Sequence, residues 1–366
     1  METSKKKIAF YINSLGKGGA ERVVVNLSNH FIQKGYEVVL VTSRYQADEY
    51  EQPAGSRRII SEIITPGTMN PFTYLYKRFR YIRQIWKDEK PDRLVCFIGK
   101  CNVIGLLTSC GLGIPVYVSV RSDPKQEYAS GVMHFLSKTL FAKAQGIIVQ
   151  TQEAKQYFPG YLQKKTVVLP NSLDEKFIQE RFNGKRKDEI VSVGRLDENK
   201  NQKMLIQAFA GIAGDYPTMK LKIYGAGNQN GDTLPELEKQ VKELELTDKV
   251  FFMGRRSDIA EQISQSRIYA LTSNYEGMPN ALLEAMSLGL ACISTDCPCG
   301  GPRTVIQDGE NGILIPVHDT QALEKALRKI LENPDLEERL GVNAHHIGEE
   351  LSTEKVNAAW EELIMS

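Results

Sequence analysis

No stretch of this chain approaches the about 20 consecutive apolar residues that a membrane-spanning helix needs, and no secretory signal precedes its first apolar segment. No Asp-x-Asp pair occurs, so a divalent ion bridging carboxylates to a phosphate group is poorly provided for. The six cysteines are scattered, and Cys297-Pro298-Cys299 is too tight for the usual zinc ligand pair. They read as reduced thiols of a cytoplasmic protein. The five histidines (His30, His134, His318, His345 and His346) fall in no recognisable motif and are expected to be structural or surface residues. Low-complexity tracts and short internal repeats are missing too, which excludes a solenoid. What these absences leave is a soluble globular protein without a structural metal.

Its 366 residues are too many for one small core and comfortable for two domains. The formal net charge of +1 hides an asymmetry. Residues 1–170 carry 24 Lys and Arg against 13 Asp and Glu, whereas residues 171–366 carry 22 against 32. Such a split points to two units, only the first of which meets an anionic partner.

Short apolar strands are expected at 8–12, 38–42, 94–98, 116–120, 147–150 and 166–169, with helical stretches between most of them. A second series follows at 190–193, 221–224, 250–253, 268–272, 292–295 and 313–315. Strands alternating with helices imply parallel sheets covered on both faces, hence α/β architecture twice over. The turn-rich joint Leu169-Pro170-Asn171-Ser172-Leu173-Asp174 separates the series, giving domains 1–169 and 170–351. In doubly wound domains ligands bind at the carboxyl ends of the strands, so the active site is expected in the cleft between two such domains.

Three glycine-bearing strand ends mark that edge. Residues 13–22, NSLGKGGAER, follow the first strand and open a helix; they are neither a Walker loop nor GxGxxG. Gly194, Arg195 and Lys200 follow the strand 190–193, where a guanidinium and an ammonium could clamp a diphosphate. Gly225 and Gly227 follow the strand 221–224 and could leave room for a nucleotide. The most informative stretch is 273–289, SNYEGMPNALLEAMSLG. Here a strand runs into a helix opened by Pro279 and stopped by Gly289, with Glu276 in the turn and Glu284 eight residues on. Two acids at such a junction can receive sugar hydroxyls while the helix end receives phosphate; two solvated glutamates are the plainer alternative.

Taken in order, these pieces resemble a family 4 glycosyltransferase of the GT-B fold, with two facing Rossmann-like doubly wound domains. The similarity runs through GGAERVVVNL at 18–27, PNSLD at 170–174, GRLDENKN at 194–201, YGAGN at 224–228, VFFMG at 250–254 and the Glu276/Glu284 pair to CPCGGPRTVIQDGENGILI at 297–315. The resemblance implies a retaining transfer of a hexose or N-acetylhexosamine from a UDP-sugar to an acceptor hydroxyl, with neither cofactor nor metal. It implies an acceptor-binding first domain and a nucleotide-sugar-binding second one, with the helix 352–366 packing back on the first. Position by position, Arg195 and Lys200 would hold and stabilise the leaving diphosphate. Glu276 would bond the donor sugar, beside Gly277, Met278 and Pro279. Glu284 would bond the ribose, Gly254 and Arg255 would meet the base, Gly194 and Gly225 would admit the nucleotide, and Gly18 and Gly19 would close on the phosphates.

The sequence departs from that family pattern twice. Many relatives place a histidine near the end of the first domain's fifth strand, where this chain reads Ser119-Val120-Arg121-Ser122-Asp123-Pro124, so Arg121 or Asp123 could take acceptor or phosphate contacts. Many place a glutamate at the position of Thr304. Residues 73–87, TYLYKRFRYIRQIWK, interleave Tyr74, Tyr76, Phe79, Tyr81 and Trp86 with Lys77, Arg78, Arg80, Arg83 and Lys87. That pattern reads as a helix lying on an anionic membrane surface, or as one packing its aromatic face on the sheet. With the basic first half it suggests a peripheral enzyme at the inner face of the cell membrane, acting on a polyprenyl-diphosphate-linked saccharide in bacterial surface-glycan assembly. No nucleic-acid recognition module accompanies it. A GT-B sugar-nucleotide epimerase and a non-catalytic nucleotide-sugar-binding subunit are the alternatives.

Overall fold

The computed structural model describes residues 5–62, 70–227 and 231–366. The chain divides into two compact units, Met1–Ser172 with Thr353–Ser366, and Leu173–Ser352. The expected joint after 169 lies a few residues before that break.

The first unit holds seven parallel strands: β1 (Lys7–Ile12), β2 (Glu37–Thr42), β3 (Arg57–Ile60), β4 (Arg93–Phe97), β5 (Val116–Ser119), β6 (Gly146–Val149) and β7 (Thr166–Val168). Their order is β3-β2-β1-β4-β5-β6-β7. Apolar runs such as Ile8-Ala9-Phe10-Tyr11-Ile12 are buried throughout because helices cover both faces. The strand β3 has no counterpart in the sequence reading: two arginines open it and only two apolar residues follow, as suits a short edge strand. Helices α1 (Gly19–Gln33), α2 (Pro71–Glu89), α3 (Gly99–Ser109), α4 (Pro124–Glu127) and α5 (Gly131–Thr139) connect the strands. The C-terminal helix Thr353–Met365 packs against α1, and Trp360 stacks on Phe97 at 5.7 Å between ring centroids.

The second unit has six parallel strands: β8 (Lys187–Val193), β9 (Lys220–Tyr224), β10 (Val250–Gly254), β11 (Ser266–Leu271), β12 (Ala291–Thr295) and β13 (Ile313–Ile315), in the order β10-β9-β8-β11-β12-β13. All six fall where the hydrophobic pattern puts them. The chain order reverses between β1 and β4 in one sheet and between β8 and β11 in the other. Connections leave in opposite directions at those points, so a crevice opens at the carboxyl ends of both strand pairs.

Candidate active site

The second unit's reversal point carries the densest chemistry. The loop after β8 and the loop after β11 are stitched together by side-chain and backbone hydrogen bonds. Asn199 Nδ2 donates to the Tyr275 carbonyl at 3.1 Å, and the Tyr275 N–H donates back to Asn199 Oδ1 at 3.1 Å. Thr272 Oγ1 donates to the Lys200 carbonyl at 2.9 Å, and Asn274 N–H to the Asn199 carbonyl at 2.8 Å. These bonds hold Lys200 beside Glu276, and Lys200 Nζ donates to Glu276 Oε1. Ser273 Oγ donates to the same oxygen at 2.7 Å. The Lys200 side chain is 17% and that of Glu276 13% exposed, so the pair is largely desolvated. Each charge is therefore worth more than on the surface and is already aimed. Arg195 differs: 56% exposed, it is held through Nε by Asp197 Oδ2 at 2.8 Å. Its Nη1 and Nη2 have no hydrogen-bond partner among the described residues.

Three glycines form a row along the same edge. Gly194 N–H donates to the Tyr224 carbonyl and Gly225 N–H to the Gly254 carbonyl, both at 2.9 Å. At Gly225 φ is +145°, and a Cβ there would run into the Gly194 carbonyl oxygen. Only glycine fits. Arg255 is exposed just past Gly254. Of the YGAGN segment, Asn228 lies outside the described residues. Across the reversal, Gly277 and Met278 are buried and Pro279 caps the helix Asn280–Ser287. Glu284, in that helix, is buried as well, so it is not a solvated surface acid.

The segment after β12 closes onto this turn. Glu276 N–H donates to the Pro298 carbonyl at 2.6 Å, and Cys299 N–H donates to the Glu276 carbonyl at 2.8 Å. Gly301 lies so near the Gly277 carbonyl that a Cβ would overlap it. Thr304 spends its hydroxyl on the Gly300 carbonyl at 2.8 Å.

In the first unit Gly18 and Gly19 stand at the start of α1, with Gly19 exposed. Arg121 follows β5: its Nη2 donates to Asn171 Oδ1, which also accepts from Gln150 at 2.8 Å, and its guanidinium lies 5.7 Å from the Trp360 ring. Burial pushes that guanidinium down to about 9. Arg121 Nε and Nη1 are buried without a partner among the described residues. Asp123 is buried and caps α4, accepting from Lys125 N–H at 3.0 Å; capping is its observed role. Sequence reasoning missed Glu127. Its carboxylate accepts from Gly99 N–H at 2.6 Å and Arg121 N–H at 3.3 Å, tying the β4 and β5 loops together, and burial pushes its pKa up to about 7. No motif flags it: two of its partners are backbone N–H groups brought near only by folding, and another is the hydroxyl of the neighbouring Tyr128 at 3.1 Å.

The basic stretch 73–87 requires a correction. The aromatic Trp86 is fully buried, donating to Thr108 Oγ1 at 2.8 Å, and so belongs to the core. Arg83 spends Nη1 on the Thr108 and Cys110 carbonyls at 2.9 and 2.7 Å, while Arg78 donates to Ser43 Oγ at 3.0 Å and lies 3.6 Å from Glu62. Lys77, Arg80 and Lys87 remain exposed. Two of the five cations thus serve the fold: Arg83 because the second half of α2 packs on α3, and Arg78 because it reaches Ser43 and Glu62 just past β2 and β3.

Known proteins agree with this architecture. Residues 174–346 match the model of glycosyl transferases group 1, and residues 17–177 that of glycosyltransferase family 4. A Campylobacter jejuni protein, GalNAc-alpha-(1->4)-GalNAc-alpha-(1->3)-diNAcBac-PP-undecaprenol alpha-1,4-N-acetyl-D-galactosaminyltransferase, is 26% identical over 98% of each chain. Another from the same species, N-acetylgalactosamine-N,N'-diacetylbacillosaminyl-diphospho-undecaprenol 4-alpha-N-acetylgalactosaminyltransferase, is 29% identical over 90% of this chain and 92% of that one. Among solved structures, Anabaena HepE in complex with UDP and glucose superposes with a TM-score of 0.83 at 20% identity, over 98% of this chain and 99% of that one. Sucrose-phosphate synthase from Thermosynechococcus elongatus reaches 0.81 at 19% identity, over 98% of each. No helix among the described residues is long and apolar enough to cross a membrane. With both units matched and both sheets reversing where such enzymes bind their ligands, the chain belongs to the family 4 glycosyltransferases of the GT-B fold.

Proposed function

We propose that this glycosyltransferase moves a hexose or N-acetylhexosamine from a UDP-sugar, with retained configuration, to a polyprenyl-diphosphate-linked saccharide at the inner face of a bacterial membrane. The observation that carries the proposal is the desolvated Lys200–Glu276 pair, with the open guanidinium of Arg195 on the same loop as Lys200. A carboxylate adjoining an ammonium suits a sugar diphosphate: Glu276 accepts from the sugar's hydroxyls while Lys200 and Arg195 meet the phosphates. As the glycosidic bond breaks, negative charge grows on the leaving oxygen, and cations fixed beforehand stabilise that state more than the bound donor. Glu284 accepts from the ribose, and Gly194, Gly225, Gly254 and Arg255 border the nucleoside. The lipid-linked acceptor is supported by the diphospho-undecaprenol in two relatives' names and by the surplus of basic residues in the first unit. The UDP donor is supported by the UDP bound to HepE.

The test is incubation with a panel of UDP-sugars, following slow donor hydrolysis, and then an NMR spectrum of the product made with a lipid-linked acceptor. An α-linked product from an α-linked donor is expected; a β linkage would remove the retaining mechanism. Since no Asp-x-Asp pair is available to hold a bridging ion, transfer is also expected to continue in EDTA. Complete loss of activity, restored by Mg²⁺, would show that the diphosphate needs a metal after all.

A further inference from the structure

We infer that the first unit docks on an anionic bilayer through two helices, α2 and α5, at the carboxyl edge of its sheet. This rests on the lipid-linked acceptor proposed above and adds to the exposed part of the stretch 73–87 side chains that lie outside it, Phe72 on α2 and Val132 and Phe135 on α5.

The apolar stripe of α2 is longer than the domain beneath it. Ile82, Ile85 and Trp86 are buried, and the same stripe continues backward through Phe79, Tyr76, Leu75 and Phe72, at helical spacing, all exposed. Phe72 is 83% exposed. The reason is registration: Trp86 bonds Thr108 near the end of α3, and the two helices start from the same edge of the sheet. At about 1.5 Å per residue, the first turns of α2 therefore extend past the start of α3 at Gly99. The helix α5 also starts at this edge and packs on α3, and Val132 and Phe135 are 69% and 63% exposed. Large apolar side chains projecting in this number from one edge are unusual on a soluble protein and mark an interaction surface.

Charge selects the partner. Neither 71–87 nor 128–152 contains an Asp or Glu. Exposed cations are carried by the helices that start at this edge: Lys77 and Arg80 on α2, with Arg80 over the Tyr76 ring, Lys100 at the start of α3 and Lys125 on α4. Apolar projections accompanied by cations suit the headgroup and acyl boundary of an anionic leaflet, where the aromatic side chains partition and the cations meet phosphate. The edge so docked is the one that carries Arg121 and Gly19, so an acceptor's diphosphate would arrive at the strand ends while its lipid stayed in the bilayer.

The full chain should sediment with vesicles of phosphatidylglycerol and phosphatidylcholine at low salt and be released by high salt. Val132→Ser with Phe135→Ser should weaken that binding about tenfold while leaving UDP-sugar hydrolysis in solution unchanged. The native tryptophans, Trp86 and Trp360, are fully buried, so a Phe135→Trp variant reports on α5 by itself: the emission of its added indole should shift to the blue on adding vesicles. Wild-type-like binding of the double variant, together with no shift in the emission of the Phe135→Trp variant, would overturn the role of α5. Absence of vesicle binding, with a concentration-dependent dimer abolished by the double variant, would instead make a second copy the occupant and overturn the proposal. Absence of UDP-sugar hydrolysis by the wild-type protein would tell against the enzymatic reading, separately from docking.

Discussion

Replacing Lys200 by Ala should lower turnover of the donor by about 10²–10³-fold, equivalent to about 3–4 kcal/mol of transition-state stabilisation. Two effects combine. The ammonium proposed to meet the leaving diphosphate is gone, and Glu276 is left largely buried with only the Ser273 hydroxyl on the oxygen that Lys200 served. A buried carboxylate deprived of its cation is costly and takes a new position. Arg195→Ala should lose comparable activity for a simpler reason, since its exposed side chain holds nothing but Asp197 and the fold should be untouched. The two arms separate electrostatics from architecture. Lys200→Ala and Glu276→Gln should be non-additive in a double-mutant cycle, because each disturbs the other's partner, whereas Arg195→Ala should combine nearly additively with Glu276→Gln. Single-turnover donor hydrolysis is the measurement. A near-normal kcat in Arg195→Ala would sink its assignment to the diphosphate.

Replacing Gly301 by Ala should damage both stability and chemistry, although one methyl is all that is added. The new carbon would overlap the Gly277 carbonyl oxygen, a backbone atom that cannot swing aside. The segment after β12 must then back away from the turn carrying Glu276, stretching the Glu276 N–H···Pro298 and Cys299 N–H···Glu276 bonds. A cost of about 3 kcal/mol, or a Tm lower by about 6–12 °C in a unit of this size, is expected. Donor turnover should fall further than stability at the assay temperature explains, since the displaced group is the turn carrying Glu276, which the proposed function places against the donor sugar. Gly309→Ala is the control. There φ is +78° but the space around the Cα is open, so the change should cost about 1 kcal/mol and leave kcat alone. Thermal melting with parallel kinetics decides the matter: equal kcat in the two alanine variants would show that the loop after β12 does not govern the site.

Much of this protein is legible in its sequence, for physical reasons. Strands of a parallel sheet are buried on both faces and so appear as continuous apolar runs, as at Ile8–Ile12 and Ile268–Leu271. Glycines at strand ends and prolines at helix starts punctuate those runs. The edge strand Arg57–Ile60 escaped because an edge has one neighbour, tolerates charge and needs little apolar sequence. Glu127 escaped because the N–H groups it joins, those of Gly99 and Arg121, are of a kind that nearly every residue carries and acquire meaning only by position.

The basic helix shows where pattern reading stops. Alternating aromatics and cations are compatible with a packed helix and with one lying on a membrane, and α2 divides between the two. Its second half packs on α3, consuming Arg83 and Trp86, while its first half outruns the sheet and exposes the same stripe. Helix length and register decide where that division falls, and neither is encoded in a local pattern.

Hydrophobic periodicity and turn chemistry act over a few residues, so the sequence by itself determined the α/β class, the two units and the residue types gathered at the strand ends. Tertiary structure alone decided which charges are free. It paired Lys200 with Glu276 across 76 residues of chain, consumed Arg78 and Arg83 in the fold and left Arg195 open. The reason is that a charge's chemistry depends on its desolvation and nearest partner, and both are set by segments distant in sequence that the sheets bring side by side.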